Sequence, residues 1–153
     1  MTAFPFQLVQ RDDPAALMQA CSRHLEQCLL HRLAEPNPRP LGLATGRTME
    51  PLYGALVARL KLWPQEQLQQ LCRHWLSFNL DDYVGLSVGD PSGYSAYMQK
   101  HLGQPLGLGP PQLRLPQPDA VDPEAAAQAY QQSLAATGGC LLYTSPSPRD
   151  QLQ

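Results

Sequence analysis

Two adjacent carboxylates, Asp81 and Asp82, stand in the stretch Phe78-Asn79-Leu80-Asp81-Asp82, which follows the run His74-Trp75-Leu76-Ser77. The run reads as the end of a buried strand, which puts the pair where that strand runs out. In open α/β sheets, ligands bind just beyond the carboxyl ends of strands. A carboxylate there can meet a substrate, and burial can tune it toward acid–base work. On spacing alone, two solvated aspartates at a turn fit the same pattern. The second candidate is Thr45-Gly46-Arg47-Thr48, between a short apolar run and a helical pattern. A strand, a glycine-containing turn and a helix N-terminus form an anion cradle, because unpaired N–H groups and the positive end of the helix dipole face the ligand. Thr45 and Thr48 add hydroxyl donors, and Gly46 lets the backbone approach closely. Thr48 also fits a plain N-cap, and the GxxxxGK[ST] spacing of a Walker loop is absent.

Phe78-Asn79-Leu80-Asp81-Asp82-Tyr83-Val84-Gly85-Leu86 resembles the signature of the glucosamine-6-phosphate deaminases, Phe-Asn-Met/Leu-Asp-Glu-Tyr-Val-Gly-Leu. Two further stretches resemble that family in the same order. They are Leu41-Gly42-Leu43-Ala44-Thr45-Gly46-Arg47-Thr48 upstream and Asp90-Pro91-Ser92-Gly93-Tyr94-Ser95-Ala96-Tyr97-Met98 downstream. The resemblance implies conversion of glucosamine 6-phosphate and water to fructose 6-phosphate and ammonia, in amino-sugar catabolism. It implies that Asp81 shuttles the proton between C2 and C1 and that no metal or organic cofactor is needed. Asp82 matches the neighbouring Glu, one methylene shorter, and by that match is expected among the substrate-binding residues. Thr45, Gly46, Arg47 and Thr48 match the sugar-phosphate loop. Arg47 departs from the usual Thr-Gly-Gly/Ser-Thr, and either contacts the phosphate or points to solvent. Successive strand residues face opposite ways, so one of Asp81 and Asp82 should face the sugar, and Asp81 is the expected one. His24, His31, His74 and His101 match no family motif and receive no role.

These groups need a scaffold. Phe6 to Gln10 could be a first short strand. Asp13 and Pro14 offer an N-cap and a first helical position. Leu17, Cys21, Leu25, Cys28, Leu29 and Leu33 then recur at helical spacing until Pro36, Pro38 and Pro40. Leu41 to Ala44 reads as a buried parallel strand, Glu50 to Leu60 as a helix, and Pro64 to Leu71 as a short amphipathic helix. Asp90 and Pro91 repeat the capping pattern before a stripe of Tyr94, Tyr97, Met98 and Leu102, which reads as core, with Gly103 as the stop. Leu113 to Leu115 is a short strand candidate. Asp122 and Pro123 open a last helix that ends at Gly138-Gly139. The expected fold is α/β: a three-layer Rossmann-like parallel sheet with helices on both faces, truncated about halfway.

The 153 residues, 43% hydrophobic and 16% charged, suit one globular domain. A net charge of −2 gives no basic field for a nucleic-acid partner. No apolar run approaches membrane-spanning length, and the N-terminus lacks a signal pattern, so the expected setting is cytoplasmic. Cys21, Cys28, Cys72 and Cys140 contain no CxxC pair, which reads as free, mostly buried thiols rather than a zinc site. The resemblance leaves a homo-oligomer open, since relatives include monomers and hexamers.

After Gly139 the family would enter another strand and an Asn-Gly-His loop. Here the chain reads Leu141-Leu142-Tyr143-Thr144-Ser145-Pro146-Ser147-Pro148, with no periodicity. The expectation is that this segment forms no buried strand and resembles translated sequencing adaptor. Residues 1–139 would then be the first part of a sugar-phosphate isomerase/deaminase domain, and 140–153 a non-native or disordered tail. The chain by itself would be inactive. Two other functions fit a related scaffold: a 6-phosphogluconolactonase, and a non-enzymatic sugar-phosphate-binding domain.

Overall fold

A computed structural model of the chain describes residues 8–140 and the backbone of residues 142 and 143. The first helix, α1, runs Pro14–Leu33, and its N-cap Asp13 accepts a hydrogen bond from the Ala16 amide at 2.7 Å. Strand β1 (Leu41–Leu43) leads through the Thr45 turn into α2 (Glu50–Leu60), and α3 (Gln65–Arg73) follows. Strand β2 is Ser77–Asn79. Next come α4 (Tyr94–Met98), a π-helical turn (Gln99–Gly103) and α5 (Gln104–Leu106) in one continuous run. Strand β3 (Leu113–Arg114), helix α6 (Pro123–Ala135) and strand β4 (Leu142–Tyr143) complete the described chain.

The described strands lie in the order β3-β2-β1-β4, all parallel. Alternation splits the sheet into two faces. Leu41, Leu43 and Leu113 face a core shared with Leu25 and Leu29 of α1, Leu56 and Leu60 of α2, and Met98 and Leu102. Phe78 points the other way, against Tyr130 of α6 at 5.5 Å between ring centroids. The chain steps from β1 to β3 in one direction and then returns past β1 to β4. Right-handed crossovers therefore put α6 on the face opposite α2. The result is the expected three-layer arrangement. No helix among the described residues is long and apolar enough to cross a membrane.

Several local expectations are corrected. Leu8 to Gln10 form no strand, and Phe6 and Gln7 lie outside the described residues. His74 caps the end of α3, with its ring Nδ1 on the Gln70 carbonyl at 3.0 Å, so β2 starts only at Ser77. Asp90 caps no helix. Its carboxylate accepts from the Ser92 amide at 2.8 Å in a local turn, and α4 starts later at Tyr94. Thr48 is not a helix cap either, because Met49 holds the N-cap position of α2 without a side-chain bond. Gly103 does not stop its helix. The π turn carries the run on to Gly107, which takes the left-handed conformation at φ 69°. Gly103 instead makes room, since a Cβ there would fall 2.5 Å from the Gln99 side chain. All four cysteines are free and half-buried rather than mostly buried.

The segment after Gly139 also departs from expectation. Leu142 and Tyr143 pair in parallel with Leu41 and Gly42. The prolines that argued against a strand stand at 146 and 148, past this pairing, so they remove no ladder hydrogen bond from it. The rest of the expected tail, residues 144–153, lies outside the described residues.

One buried-edge contact ties the helical layer together. Glu26 of α1 accepts from Arg59 Nε at 2.7 Å and from Trp63 Nε1 at 2.8 Å. Burial raises the Glu26 carboxyl, but the hydrogen bonds from Trp63 and Arg59 and the nearby positive charges outweigh it, leaving a net downward shift from the ordinary 4.5. A lowered folded-state pKa adds stability above the unfolded value and loses it as pH falls. Glu26→Gln should cost about 1–2 kcal/mol in urea unfolding at pH 7. The gap from the wild type should shrink as pH drops below 4.5; a gap independent of pH would contradict this assignment.

Candidate active site

Register decides the site. Leu43 is the Cα partner of Asn79, so β1 and β2 end side by side and their following loops leave the sheet together. After β1, Gly46 adopts φ 111°, a conformation that strains other residues. Its carbonyl accepts from the Met49 amide at 3.0 Å and from the Tyr97 hydroxyl at 2.7 Å. Tyr53 donates to the Ala44 carbonyl just before it. Two tyrosines thus brace the backbone from Ala44 to Gly46. Burial, then the Glu50 charge, pushes the Tyr97 hydroxyl up to about 12 against the opposing effect of the Gly46 bond, so it remains a donor at neutral pH. Its ring also packs on His101 at 4.4 Å.

After β2, Asp81 is exposed and Asp82 is half-buried. Asp82 Oδ1 accepts from its neighbour Tyr83 N at 2.8 Å and from Tyr94 N at 3.1 Å. Tyr94 is the first residue of α4, so Asp82 caps that helix from a distant loop. Its contacts are structural and do not include the Thr45–Thr48 turn.

Tyr94 joins the two loops. Its hydroxyl lies 3.3 Å from that of Tyr83, and Thr45 is near enough to act on it. It is held above its ordinary value first by the Tyr83 bond and then by burial, with the Asp81 charge adding to the shift and Thr45 opposing it. Asp81 and Thr45 are therefore both within electrostatic reach of one hydroxyl. The structure brings Asp81, Thr45 and Gly46 to one end of the sheet. Arg47 and Thr48 are exposed on the same turn, and Arg47 makes no ion pair among the described residues.

Tyr94 and Tyr97 were expected as core. Of that stripe, only Met98 and Leu102 are fully buried, while both tyrosines turn their hydroxyls to the site loops. The signal was in the residue type, since a buried phenol needs a partner that Phe would not. Asn79 was also passed over. It is 2% exposed, and neither polar atom of its side chain has a hydrogen-bond partner among the described residues. Asp82 Oδ2 is in the same condition. Among the described residues no group of three or more His, Cys, Asp or Glu is placed to hold a metal ion.

No protein-family model matches the chain. A glucosamine-6-phosphate deaminase of Shouchella clausii is 35% identical over 111 residues, covering 72% of this chain and 43% of the relative. Glucosamine-6-phosphate deaminase 2 of Bacillus subtilis is 34% identical over 99 residues, covering 65% and 38%. A solved monomeric glucosamine-6-phosphate deaminase superposes with a TM-score of 0.73 at 29% identity, covering 88% of this chain and 52% of that one. Over most of its described length the chain is similar to glucosamine-6-phosphate deaminases in both sequence and fold. It spans about two fifths of the length of the curated relatives it matches, between 36% and 43% for the first three.

Two substitutions check this geometry. Asp82→Ala should destabilise the chain by about 1 kcal/mol, the usual cost of a lost helix cap. It should also speed hydrogen exchange at Tyr94, whereas Asp82→Asn should keep most of the cap. Tyr97→Phe should cost about 1 kcal/mol and loosen the turn that it braces, seen as faster amide exchange at Met49. Unchanged exchange at Met49 would show that the phenol does not hold the Gly46 carbonyl.

Proposed function

We propose that a protein carrying this chain is a glucosamine-6-phosphate deaminase. In this role it turns glucosamine 6-phosphate and water into fructose 6-phosphate and ammonia. The observation that carries the proposal is the in-register ending of β1 and β2, which delivers the Asp81 loop and the Thr45–Gly46 turn to one end of the sheet. The names of the relatives and of the structural neighbour support the same substrate class.

In this reading the amides and hydroxyls of Thr45, Gly46 and Thr48, at the N-terminal end of α2, hold the sugar phosphate. Arg47, exposed on the turn, adds a charged donor when the phosphate is present. Holding the phosphate at one end of the sugar fixes C1 and C2 near the loop after β2. The Asp81 carboxylate removes the C2 proton from the ring-opened amino aldehyde, giving an enolamine. It returns that proton to C1, which leaves an imine at C2. Water adds at C2, ammonia leaves, and the ketone remains. One base between two adjacent carbons does both transfers without a metal or an organic cofactor. Ring opening needs a further acid–base group, and we assign none within this chain, so we expect residues 1–153 alone to turn nothing over. We place the reaction in the cytoplasm; four free cysteines suit a reducing compartment.

Asp82 enters differently from its sequence-based expectation. Its bonds to Tyr83 N and Tyr94 N support a role in fixing the Asp81 loop to α4 rather than in binding sugar. In a full-length parent, Asp81→Asn should lower kcat for ammonia release by at least about 100-fold. Affinity for the sugar phosphate should stay within a few fold. Full turnover by Asp81→Asn would remove Asp81 from the chemistry. Release of acid from 6-phosphogluconolactone without ammonia release from the amino sugar would favour the lactonase instead.

A further inference from the structure

At the amino end of the sheet, opposite Thr45 and Asp81, lies a second cavity of about 150 Å³. The end of α1, the connection to β1 and the end of α3 enclose it. Arg32, Gln70, His74 and the carboxylate-bearing Glu35 give it polar groups, and Pro36, Pro38 and Leu71 give it apolar walls.

Arg32 is the unusual member. It is 3% exposed, yet the only side-chain hydrogen bond it makes among the described residues runs from Nε to the Arg39 carbonyl at 2.8 Å. No carboxylate among the described residues pairs with it; the ion pair found there is Arg59 with Glu26. Glu35, an exposed residue of the lining, forms no ion pair with the guanidinium and acts on it through its field, and burial is the larger effect, pulling the guanidinium down from its ordinary value. A guanidinium does not escape this cost by losing its proton at neutral pH. A buried charge is costly unless something of opposite sign meets it.

The His74 ring is held by α3 itself, with Nδ1 on the Gln70 carbonyl at 3.0 Å, so the donors for an anion come from Arg32. The volume equals that of about five waters. That is room for an inorganic anion or a carboxylate with a short hydrocarbon body.

We propose that this cavity is a binding site for a small oxyanion, gripped by the Arg32 guanidinium and separate from the sugar-phosphate site. The fork of donors on Arg matches the paired oxygens of a carboxylate or a phosphate. The proline and leucine walls favour a carboxylate that carries a few carbons over a fully hydrated phosphate.

The test is a titration of the isotope-labelled 153-residue chain with propionate and, separately, with inorganic phosphate, at constant ionic strength. Saturable shifts at Arg32 Nε–H and the amides of Leu71 and His74 are expected with propionate. If phosphate saturates the same signals more tightly, the site is an oxyanion site of the phosphate class. Glu35→Gln, which removes an exposed negative charge at the rim, should tighten binding by about two- to fivefold. Arg32→Lys should weaken it by about tenfold, and where that variant fails to fold, Glu35→Gln carries the comparison. Absence of saturable shifts at these residues with both anions overturns the proposal. So does equal affinity in the wild type and Glu35→Gln. Shifts confined to Thr45–Thr48 would overturn it while leaving the sugar-phosphate site standing.

Discussion

The in-register pairing of β1 with β2 is the constraint on which the rest depends. Leu43 beside Asn79 means that two short strands stop at the same level. Parallel strands need helical crossovers, and here those crossovers return the chain to the same starting edge each time. Everything that follows the strands, the Thr45 turn and the Asp81 loop alike, is then delivered to one end. A slip of one residue would send Leu41 and Leu43 to the α6 face and Phe78 into the α1–α2 core. Leu41 and Leu43 are 2% exposed, as is Phe78 on the other side, so burial on both faces locks the register.

Adjacent strand ends alone do not shape a site, because loops relax independently. The run from Tyr94 to Leu106 supplies the coupling. It presents Met98 and Leu102 to the core while Tyr94 and Tyr97 reach the two loops. A residue pair three apart on a helix shares one face, which lets Tyr94 serve Thr45 and Tyr97 serve Gly46 from a single support. On the opposite face α6 does a comparable job with Tyr130. Its hydroxyl lies 2.7 Å from the Asn79 carbonyl and 3.0 Å from that of Arg114, which ties the ends of β2 and β3. Burial holds that phenol well above its ordinary value, so it stays a donor.

Local capping chemistry was legible in the sequence where a single residue decides it. Asp13 and Asp122 each cap the helix that their Asp-Pro pattern announced. The same pattern failed at Asp90-Pro91, because the competing Asx turn to Ser92 uses the carboxylate and Asp82 supplies the cap from elsewhere. No local rule sees a cap twelve residues away. The π turn was invisible for a related reason: period-3.6 counting assumes one winding, and Gly103 read as a stop because glycine usually is one. Strand β4 was rejected on prolines that begin three residues beyond it, an overreach of a sound rule about ladders. The meeting of the two loops at one sheet end followed from strand and turn order. Its tyrosine bracing did not, since apolar periodicity counts a phenol ring as core and ignores the hydroxyl.

Two neighbouring aspartates end with unlike environments, and that difference is informative. Asp82 spends one oxygen on two backbone amides, and its other oxygen is buried without a partner among the described residues. A carboxylate so engaged is pre-oriented and poorly placed to exchange protons with a ligand. Asp81, one residue earlier, is exposed at the mouth of the sheet. The shorter side chain at position 82 matters here. A Glu would have to fold back by one methylene to reach the Tyr94 amide, whereas Asp reaches it directly at 3.1 Å. Anchoring residue 82 fixes the backbone of the loop, and strand-like alternation then turns residue 81 the other way. Anchored Asp82 thereby holds the backbone from which Asp81 projects, so the two neighbouring acids meet unlike surroundings rather than equivalent ones.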